Sequence, residues 1–186
     1  MERCKWCLSS NKMIKYHDEY WGTPFHDDRE LFAKLILDMN QAGLSWSTIL
    51  NKQENFYAAF DKFDIKKVAS YDEKKEEELL SNAGIIRNKL KVKAAINNAQ
   101  KVLEIQKEWG TFDAYIWSFT KGKIIQNIIK DEKDVLATSP LSDEISKDMK
   151  KRGFKFAGST VIYAYLQAIG VINDHAEYCF RNKELK

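Results

Sequence analysis

The chain has 186 residues, of which 44% are hydrophobic and 12% aromatic, and its formal net charge is +3 at pH 7. This is enough for one domain with a buried core, predicted over residues 1–186. No uncharged apolar run approaches ~18 residues and the first residues lack the apolar segment of a signal peptide, so no membrane association is expected. Three cysteines do not form a disulfide framework, so a cytoplasmic protein is expected.

Cysteine and histidine residues lie close together at both ends of the chain. Cys4 and Cys7 form a C-x-x-C pattern, and His17 follows thirteen residues after Cys4. Near the other end, His175 and Cys179 are four residues apart. Such spacings let two side chains reach one zinc ion, and five candidates compete for the four positions of a tetrahedral site. The alternative is that these residues are incidental.

Apolar residues recur with helical spacing along almost the whole chain. The first clear stripe has five members on one face: Leu31, Phe32, Leu35, Ile36 and Met39. Asp27 and Glu30 have the spacing of a capping box before it. Further helices are predicted over residues 46–60, 65–70, 73–81, 88–107, 112–119, 143–151 and 160–169, the last ended by Gly170. Only residues 123–129 alternate like a strand, so the predicted fold class is all-α.

The segment around the end of the first apolar stripe carries chemically active side chains. Asp38 is followed by a short loop that contains Gly43, and Ser45 is placed to cap the next helix. Leu44 at the tip of such a loop has the character of a wedge between base pairs. Asp38 is suited to accept hydrogen bonds from the amine of a base, and Trp46 offers a flat stacking surface. The alternative places Leu44 and Trp46 in the core and Asp38 in solvent.

Aromatic residues surround the first pair of metal-ligand candidates. Trp6, Tyr16, Tyr20 and Trp21 lie within a few residues of Cys4 or His17. A metal ion bound there would hold these rings in place around a pocket.

A turn between two predicted helices resembles a device for binding a DNA backbone. Residues 81–86 contain Gly84 and lead into a helix that begins with a basic cluster. A tight turn followed by a helix N-terminus presents backbone N–H groups that suit a phosphate. The pattern predicts a helix–hairpin–helix near residues 73–106. A simple helix cap is the alternative.

Two basic clusters interrupt an otherwise balanced chain. The first comprises Arg87, Lys89, Lys91 and Lys93. The second comprises Lys147, Lys150, Lys151, Arg152 and Lys155, interrupted only by Asp148. Such clusters favour a surface that binds a polyanion, and an ordinary solvated helix surface is the alternative.

Taken together, these blocks resemble the type I 3-methyladenine DNA glycosylases of bacteria over essentially the full chain. The matching blocks are MERCKW at 1–6, YHDEYWGTP at 16–24, QAGLSW at 41–46, NAGIIR at 82–87, KRGFKF at 151–156 and NDH at 173–175. The resemblance implies one helix–hairpin–helix glycosylase domain, in which a structural zinc ion joins segments 1–21 and 171–181. Its ligands would be Cys4, His17, His175 and Cys179, which leaves Cys7 as a spare thiol.

The resemblance also implies the activity. A monomer would bind double-stranded DNA that contains alkylated purines, flip 3-methyladenine and excise it by hydrolysis. No lysine nucleophile is evident, so no strand cleavage is expected. Asp38 would be the catalytic residue, in a base pocket formed by Trp6, Tyr16, Trp21, Asp38 and Trp46. The DNA contacts would be Gln41, Gly43, Leu44, Gly84, Arg87, Lys89, Lys151 and Lys155.

Two positions depart from the family pattern. Asp38 stands where relatives often carry glutamate, and it is one methylene shorter. Met13 stands where some relatives have a pocket tyrosine, which removes a hydroxyl and a ring. Both changes concern the detailed geometry of the pocket.

Two other functions are compatible with parts of the sequence. A zinc deaminase is suggested by His17-Asp18-Glu19 with the C-x-x-C pattern, but that signature has the opposite order and a proline. The other is a module of the same fold that binds alkylated DNA without turnover.

Overall fold

The computed structural model describes residues 1–185. Within this range there are ten α-helices, whose bounds are α1 Asn11–Glu19, α2 Asp28–Gln41, α3 Trp46–Ala59, α4 Ile65–Ala69, α5 Glu73–Ser81, α6 Lys89–Trp109, α7 Phe112–Ser118, α8 Pro140–Lys151, α9 Ser159–Ala168 and α10 Phe180–Glu184. Three short 3₁₀ segments lie at Lys5–Ser9, Asp61–Phe63 and Glu132–Asp134. The predicted all-α class is confirmed.

Most helix boundaries agree with the prediction to within one or two residues. The exception among the predicted helices is α8, which begins three residues early because Ser139 caps it and Pro140 occupies its first position. α1 and α10 were not predicted from the sequence. α1 is largely polar and α10 has only five residues, so neither carries a long apolar stripe.

α2 is the centre of the molecule. The five residues of its predicted stripe are at most 1% exposed, and the helix contacts α3, α6, α7 and α9. The side chain of Asp27 accepts a hydrogen bond from the Glu30 backbone N–H at 3.0 Å. The Glu30 carboxylate is engaged elsewhere and accepts from the Tyr57 hydroxyl at 2.8 Å. Only half of the predicted capping box is therefore present.

A two-residue parallel ladder brings the last third of the chain together. β1 (Ile125–Gln126) pairs with β2 (Ile172–Asn173). β1 lies inside residues 123–129, which alternate like a strand in the sequence. α9 ends as expected before Gly170, which has a φ of +78°. The chain then passes through β2 directly into His175, whose N–H donates to the Asn173 side chain at 3.1 Å.

No helix in residues 1–185 is both long and apolar enough to cross a membrane.

Candidate active site and metal cluster

The four terminal Cys and His residues assigned as metal ligands lie together. One ligand atom from each of Cys4, His17, His175 and Cys179 falls within 4.8 Å of all the others, and every one of these residues is at most 3% exposed. Cys179 Sγ is 3.4 Å from His17 Nε2. His175 Nδ1 is 3.7 Å from the Sγ atoms of both Cys4 and Cys179.

These distances fit a tetrahedral zinc ion. Zn–S and Zn–N bonds of the usual lengths place S and N about 3.6 Å apart at tetrahedral angles. The second nitrogen of each ring is held from outside the cluster. His17 Nδ1 lies 2.8 Å from the Asp18 carboxylate, and His175 Nε2 lies 3.1 Å from the Trp21 carbonyl. Such outer contacts orient metal-binding histidines.

Cys7 is turned away from the cluster. Its thiol donates to the Cys4 carbonyl at 3.0 Å, and burial raises the pKa of the thiol to about 11. In contrast, a hydrogen bond from Cys4 holds the pKa of the Cys179 thiol far below its usual range. Cys7 therefore stays a neutral thiol outside the ligand set, whereas Cys4 and Cys179 interact with each other inside it.

A cavity of about 170 Å³ opens beside the cluster. It is lined by Trp6, Met13, Tyr16, Trp21, Asp38, Gln41, Trp46, Ala164, Gln167 and Ala168. All five residues predicted to bind a base are in this set, together with Gln41, which was predicted to contact DNA. The exposed Tyr20 is not among them.

The aromatic walls of the cavity are also packed against the cluster. The ring centroids of Tyr16 and Trp46 are 5.0 Å apart. Trp6 lies 5.4 Å from the His17 ring, and Trp21 lies 4.5 Å from the His175 ring. The position of two cavity walls therefore depends on the two histidines.

Two residues that line the cavity each carry a buried polar atom without a hydrogen-bond partner. Asp38, in the last turn of α2, is 6% exposed, and its Oδ2 has no partner among the described residues. The same holds for the buried Nε1 of Trp46. Burial raises the pKa of Asp38 to about 7, although the charge of Lys34 one turn earlier opposes the shift. Asp38 is therefore not a solvated helix-end residue. Unpaired buried polar atoms are rare enough to suggest a missing ligand.

The loop after α2 is a tight turn that presents Leu44. Ala42 has φ −49° and ψ 117°, Gly43 has φ +79°, and Leu44 N–H donates to the Gln41 carbonyl at 2.7 Å. These values define a type II turn, which needs glycine at its third position. Leu44 is 42% exposed, which excludes the core interpretation. Ser45 caps α3 as predicted, accepting from the Thr48 N–H at 3.2 Å.

The turn between α5 and α6 packs on α3. Asn55 donates to the carbonyl of Gly84 at 3.2 Å. The structure differs here from the expectation that the backbone N–H groups face outward, since Gly84 N–H donates to Asn82 and the N–H groups of Leu90 and Lys91 donate to Asn88.

The two basic clusters are only partly available to a ligand. Arg87, Lys89, Lys151 and Lys155 are exposed. Lys91 is buried, and its ammonium donates to the Asn40 and Ala42 carbonyls.

Arg152, in the second cluster, is also occupied. It pairs with Glu108 at 2.6 Å and with Asp148 at 2.7 Å. Each basic cluster thus contains one residue, Lys91 or Arg152, whose charged group is already bound within the protein.

The α9 side of the cavity was not predicted from the sequence. Ala164, Gln167 and Ala168 line it, but small residues and a glutamine carry no chemical signal in a sequence. Gln167 is held by Asp174, which accepts its amide at 2.7 Å. Asp174 also accepts from the Tyr163 hydroxyl at 2.7 Å, so it acts as local structural support for the α9 side of the cavity.

The deaminase interpretation does not fit the geometry. Its general acid–base glutamate would be Glu19, which is exposed and lies 3.9 Å from Lys15. The four protein atoms of the cluster would fill a tetrahedral site by themselves, which would leave no open metal position for water.

Fold and site together define a helical protein with a small aromatic pocket lined by the buried Asp38 carboxylate, and with a Cys₂His₂ cluster that joins its termini. The pocket is below the ~300–1,000 Å³ of sites for larger ligands, so it suits a single flat heterocycle. A family model described as methyladenine glycosylase matches residues 6–182. The chain belongs to the methyladenine glycosylase family.

Individual relatives are similar over nearly the whole chain. The DNA-3-methyladenine glycosylase 1 of Escherichia coli strain K12 is 41% identical over 179 residues, which cover 96% of both chains. A crystal structure of 3-methyladenine DNA glycosylase I superposes with a TM-score of 0.93 at 41% identity, covering 96% of this chain and 98% of that one. A variant of such an enzyme in complex with 3-methyladenine gives a TM-score of 0.94 at 32% identity, with 98% of each chain covered.

Proposed function

We propose that the cavity between Trp46 and Asp38 binds an alkylated base that has been flipped out of DNA. The chain is a DNA repair N-glycosylase that excises 3-methyladenine, like the relatives named for that activity. The observation that supports this role for the cavity most directly is the unpaired Asp38 carboxylate, buried among aromatic rings.

The cavity favours a cationic purine over a neutral one. Methylation at N3 gives adenine a positive charge and weakens its glycosidic bond. Electron-rich faces of Trp6, Tyr16 and Trp46 attract such a ring. Asp38 accepts from the exocyclic amine, and a bound cation lowers the pKa of Asp38 and favours its ionised form. Trp46 Nε1 is a buried donor without a partner beside the same cavity.

Capture of the flipped base requires a surface that holds the duplex. Leu44 enters the stack from its turn, while Gln41 lies at the rim of the cavity. The turn at Gly84 and the α6 N-terminus form the helix–hairpin–helix, and the exposed Arg87, Lys89, Lys151 and Lys155 contact phosphates. Gly43 allows the type II turn that exposes Leu44.

The reaction stops after base removal. None of the described residues that line the cavity is a lysine, so no amine is placed to form a covalent sugar adduct. Hydrolysis of the bond is driven by selective capture of a base that is already a good leaving group.

Zinc is the metal that the Cys₂His₂ set suits best, and its role is structural because four protein ligands leave no open position. When bound, the ion would hold Cys4 and His17 against His175 and Cys179, and through them Trp6 and Trp21. The chain acts as a monomer, since one copy supplies the whole cavity lining and the whole ligand set. Its three free thiols suit the reducing cytoplasm.

The direct test is release of free bases from methylated duplex DNA, identified by chromatography. We expect 3-methyladenine to be released and 7-methylguanine to stay in the DNA. If folded, zinc-loaded protein releases no base, the enzyme assignment fails. The function would then be that of a non-enzymatic module that binds alkylated DNA.

A further inference from the structure

The loop that joins α8 to α9 is fixed to α6 by two asparagines. Asn98 donates to the Lys155 carbonyl at 2.9 Å and accepts from the Lys155 N–H at 2.8 Å. Asn97 donates to the Gly153 carbonyl at 2.9 Å. Phe154 in this loop is 3% exposed and packs in the main hydrophobic core. The backbone around residues 153–156 is therefore set by α6.

The fixed loop holds a second phenylalanine in an unfavourable conformation. Phe156 has a φ of +53°, in the left-handed region that costs non-glycine residues on the order of 1–3 kcal/mol. Phe156 is 37% exposed and is not among the residues of the main hydrophobic core. A strained backbone that presents a ring to solvent is more often found at functional sites than in structural loops.

Phe156 belongs to an apolar depression with a basic rim. The depression has a volume of about 290 Å³ and is lined by Leu90, Lys93, Ala94, Asn97, Lys155 and Phe156. Leu90 is 69% exposed in the first turn of α6. No acidic residue is among the described residues that line it. Lys93 is half exposed even though it lies 3.9 Å from Glu76.

The depression continues the surface proposed for DNA. Lys91, next to Leu90, donates to the carbonyls of Asn40 and Ala42 that precede the Leu44 turn. On the other side, Thr160 follows the Phe156 loop and lines a crevice together with Ala42. The depression is thus linked to the Leu44 turn by contacts on both sides.

We infer that Phe156 and Leu90 form a second apolar contact with the DNA duplex, beside the flipped nucleotide, while Lys93 and Lys155 hold its phosphates. This inference rests on the proposed function. Duplex DNA fits because its backbone is complementary to the lysine rim, and its sugars and base edges are complementary to the apolar floor. Phe156 is a positioning residue: it steadies the distorted duplex while Leu44 fills the stack.

Phe156→Asn tests the inference, because asparagine tolerates the left-handed conformation but removes the ring. We expect affinity for a duplex with an abasic-site analogue, measured by fluorescence anisotropy, to fall about tenfold. The salt dependence should stay unchanged because no charge is lost, whereas Lys155→Ala should reduce the slope by about one phosphate contact. Binding of free 3-methyladenine, followed by tryptophan fluorescence, and the melting temperature should not fall.

Two matched variants complete the experiment. Phe156→Tyr keeps the ring and should bind the duplex as the unaltered protein does. Ile128→Ala removes a 70% exposed apolar side chain outside the depression and should change nothing. The inference is overturned if Phe156→Asn binds the duplex normally, or if it loses free-base binding and stability together. Failure of the unaltered protein to release any base would instead overturn the proposed function.

Discussion

Asp38 is the residue at which stability and the proposed function conflict most clearly. It is 6% exposed, and burial raises its pKa from 3.8 to about 7. Because the folded state binds this proton more tightly, the stability is highest below about pH 3.8, falls as the pH rises from there to about 7, and does not fall further above 7. Three pKa units correspond to about 4 kcal/mol at most. At pH 8 the folded protein therefore contains a buried, ionised Asp38, which is unfavourable for stability. A bound cationic base would stabilise this charge.

Asp38→Asn should therefore make the protein more stable but less active in base release. We expect the free energy of unfolding in urea to rise by on the order of 2 kcal/mol at pH 8 and by much less at pH 4. The kcat/KM for base release should fall. In the unaltered protein, kcat/KM should increase with pH through about 7 as Asp38 of the free enzyme ionises. In Asp38→Asn this increase should be absent.

The control for this experiment is Glu77→Gln, which neutralises an exposed acid on α5 and should leave both profiles unchanged. The assigned role is refuted if Asp38→Asn loses DNA affinity as much as it loses affinity for free 3-methyladenine. A base-binding residue should affect the free base more.

At the scale of elements, the end of α2 depends on the start of α6. The last carbonyls of a helix lack partners inside it. Here Lys91 Nζ donates to the carbonyls of Asn40 at 2.8 Å and Ala42 at 2.7 Å. A cation at a helix C-terminus is also favourable electrostatically. One buried lysine thus connects the proposed DNA-binding turn to the loop that carries Leu44.

Lys91→Met should destabilise the fold and loosen that loop. Two buried carbonyls would lose their partner, which costs about 1–3 kcal/mol each. We expect the urea midpoint to fall and base release from duplex DNA to slow, while the affinity for free 3-methyladenine changes less.

Lys93→Met is the matched control for stability. It removes the same charge two residues further along α6, where the side chain is half exposed. Its effect on the unfolding free energy should stay within about 0.5 kcal/mol. Equal losses in the two variants would show that Lys91 contributes only charge.

At the scale of the whole molecule, the Cys/His cluster holds the two ends of the chain together. Its ligands come from residues 171 positions apart, such as Cys4 and His175. The terminal segments pack together with Ile129 in a small core separate from the main one, formed by Cys4, Ile129, Ala176 and Cys179. A metal ion would therefore supply much of the attachment of the first 21 residues, which contribute Trp6, Tyr16 and Trp21 to the cavity.

Loss of one ligand should release metal and impair the cavity together. We expect about one zinc ion per chain by elemental analysis in the unaltered protein, and little in Cys179→Ser. The variant should lose tryptophan-dependent binding of free 3-methyladenine and melt at a lower temperature. Cys7→Ser should keep its zinc and its binding, since its thiol only donates to a carbonyl. Loss of zinc from Cys7→Ser but not from Cys179→Ser would contradict the ligand assignment.

Local patterns in the sequence determined the helices, and motifs determined the family. The stripe from Leu31 to Met39, the Ser45 cap and the Gly170 stop each depend on residues a few positions apart, so periodicity and capping chemistry predict them. α1 and α10 were missed because their side chains are mostly polar and their burial comes from distant partners. The blocks around His17, Leu44 and Gly84 were specific because they occur together in order.

Only the tertiary structure decided how these parts are used. Spacing alone left five metal ligands for four places, and packing turned the Cys7 thiol toward a carbonyl. Lys91 and Phe156 have ordinary neighbours in sequence, yet one is buried against α2 and the other is strained at the surface. The physical reason is that burial, desolvation and hydrogen-bond pairing depend on contacts between residues far apart along the chain. The cavity itself is an example, since Tyr16, Asp38 and Gln167 meet there from three different helices.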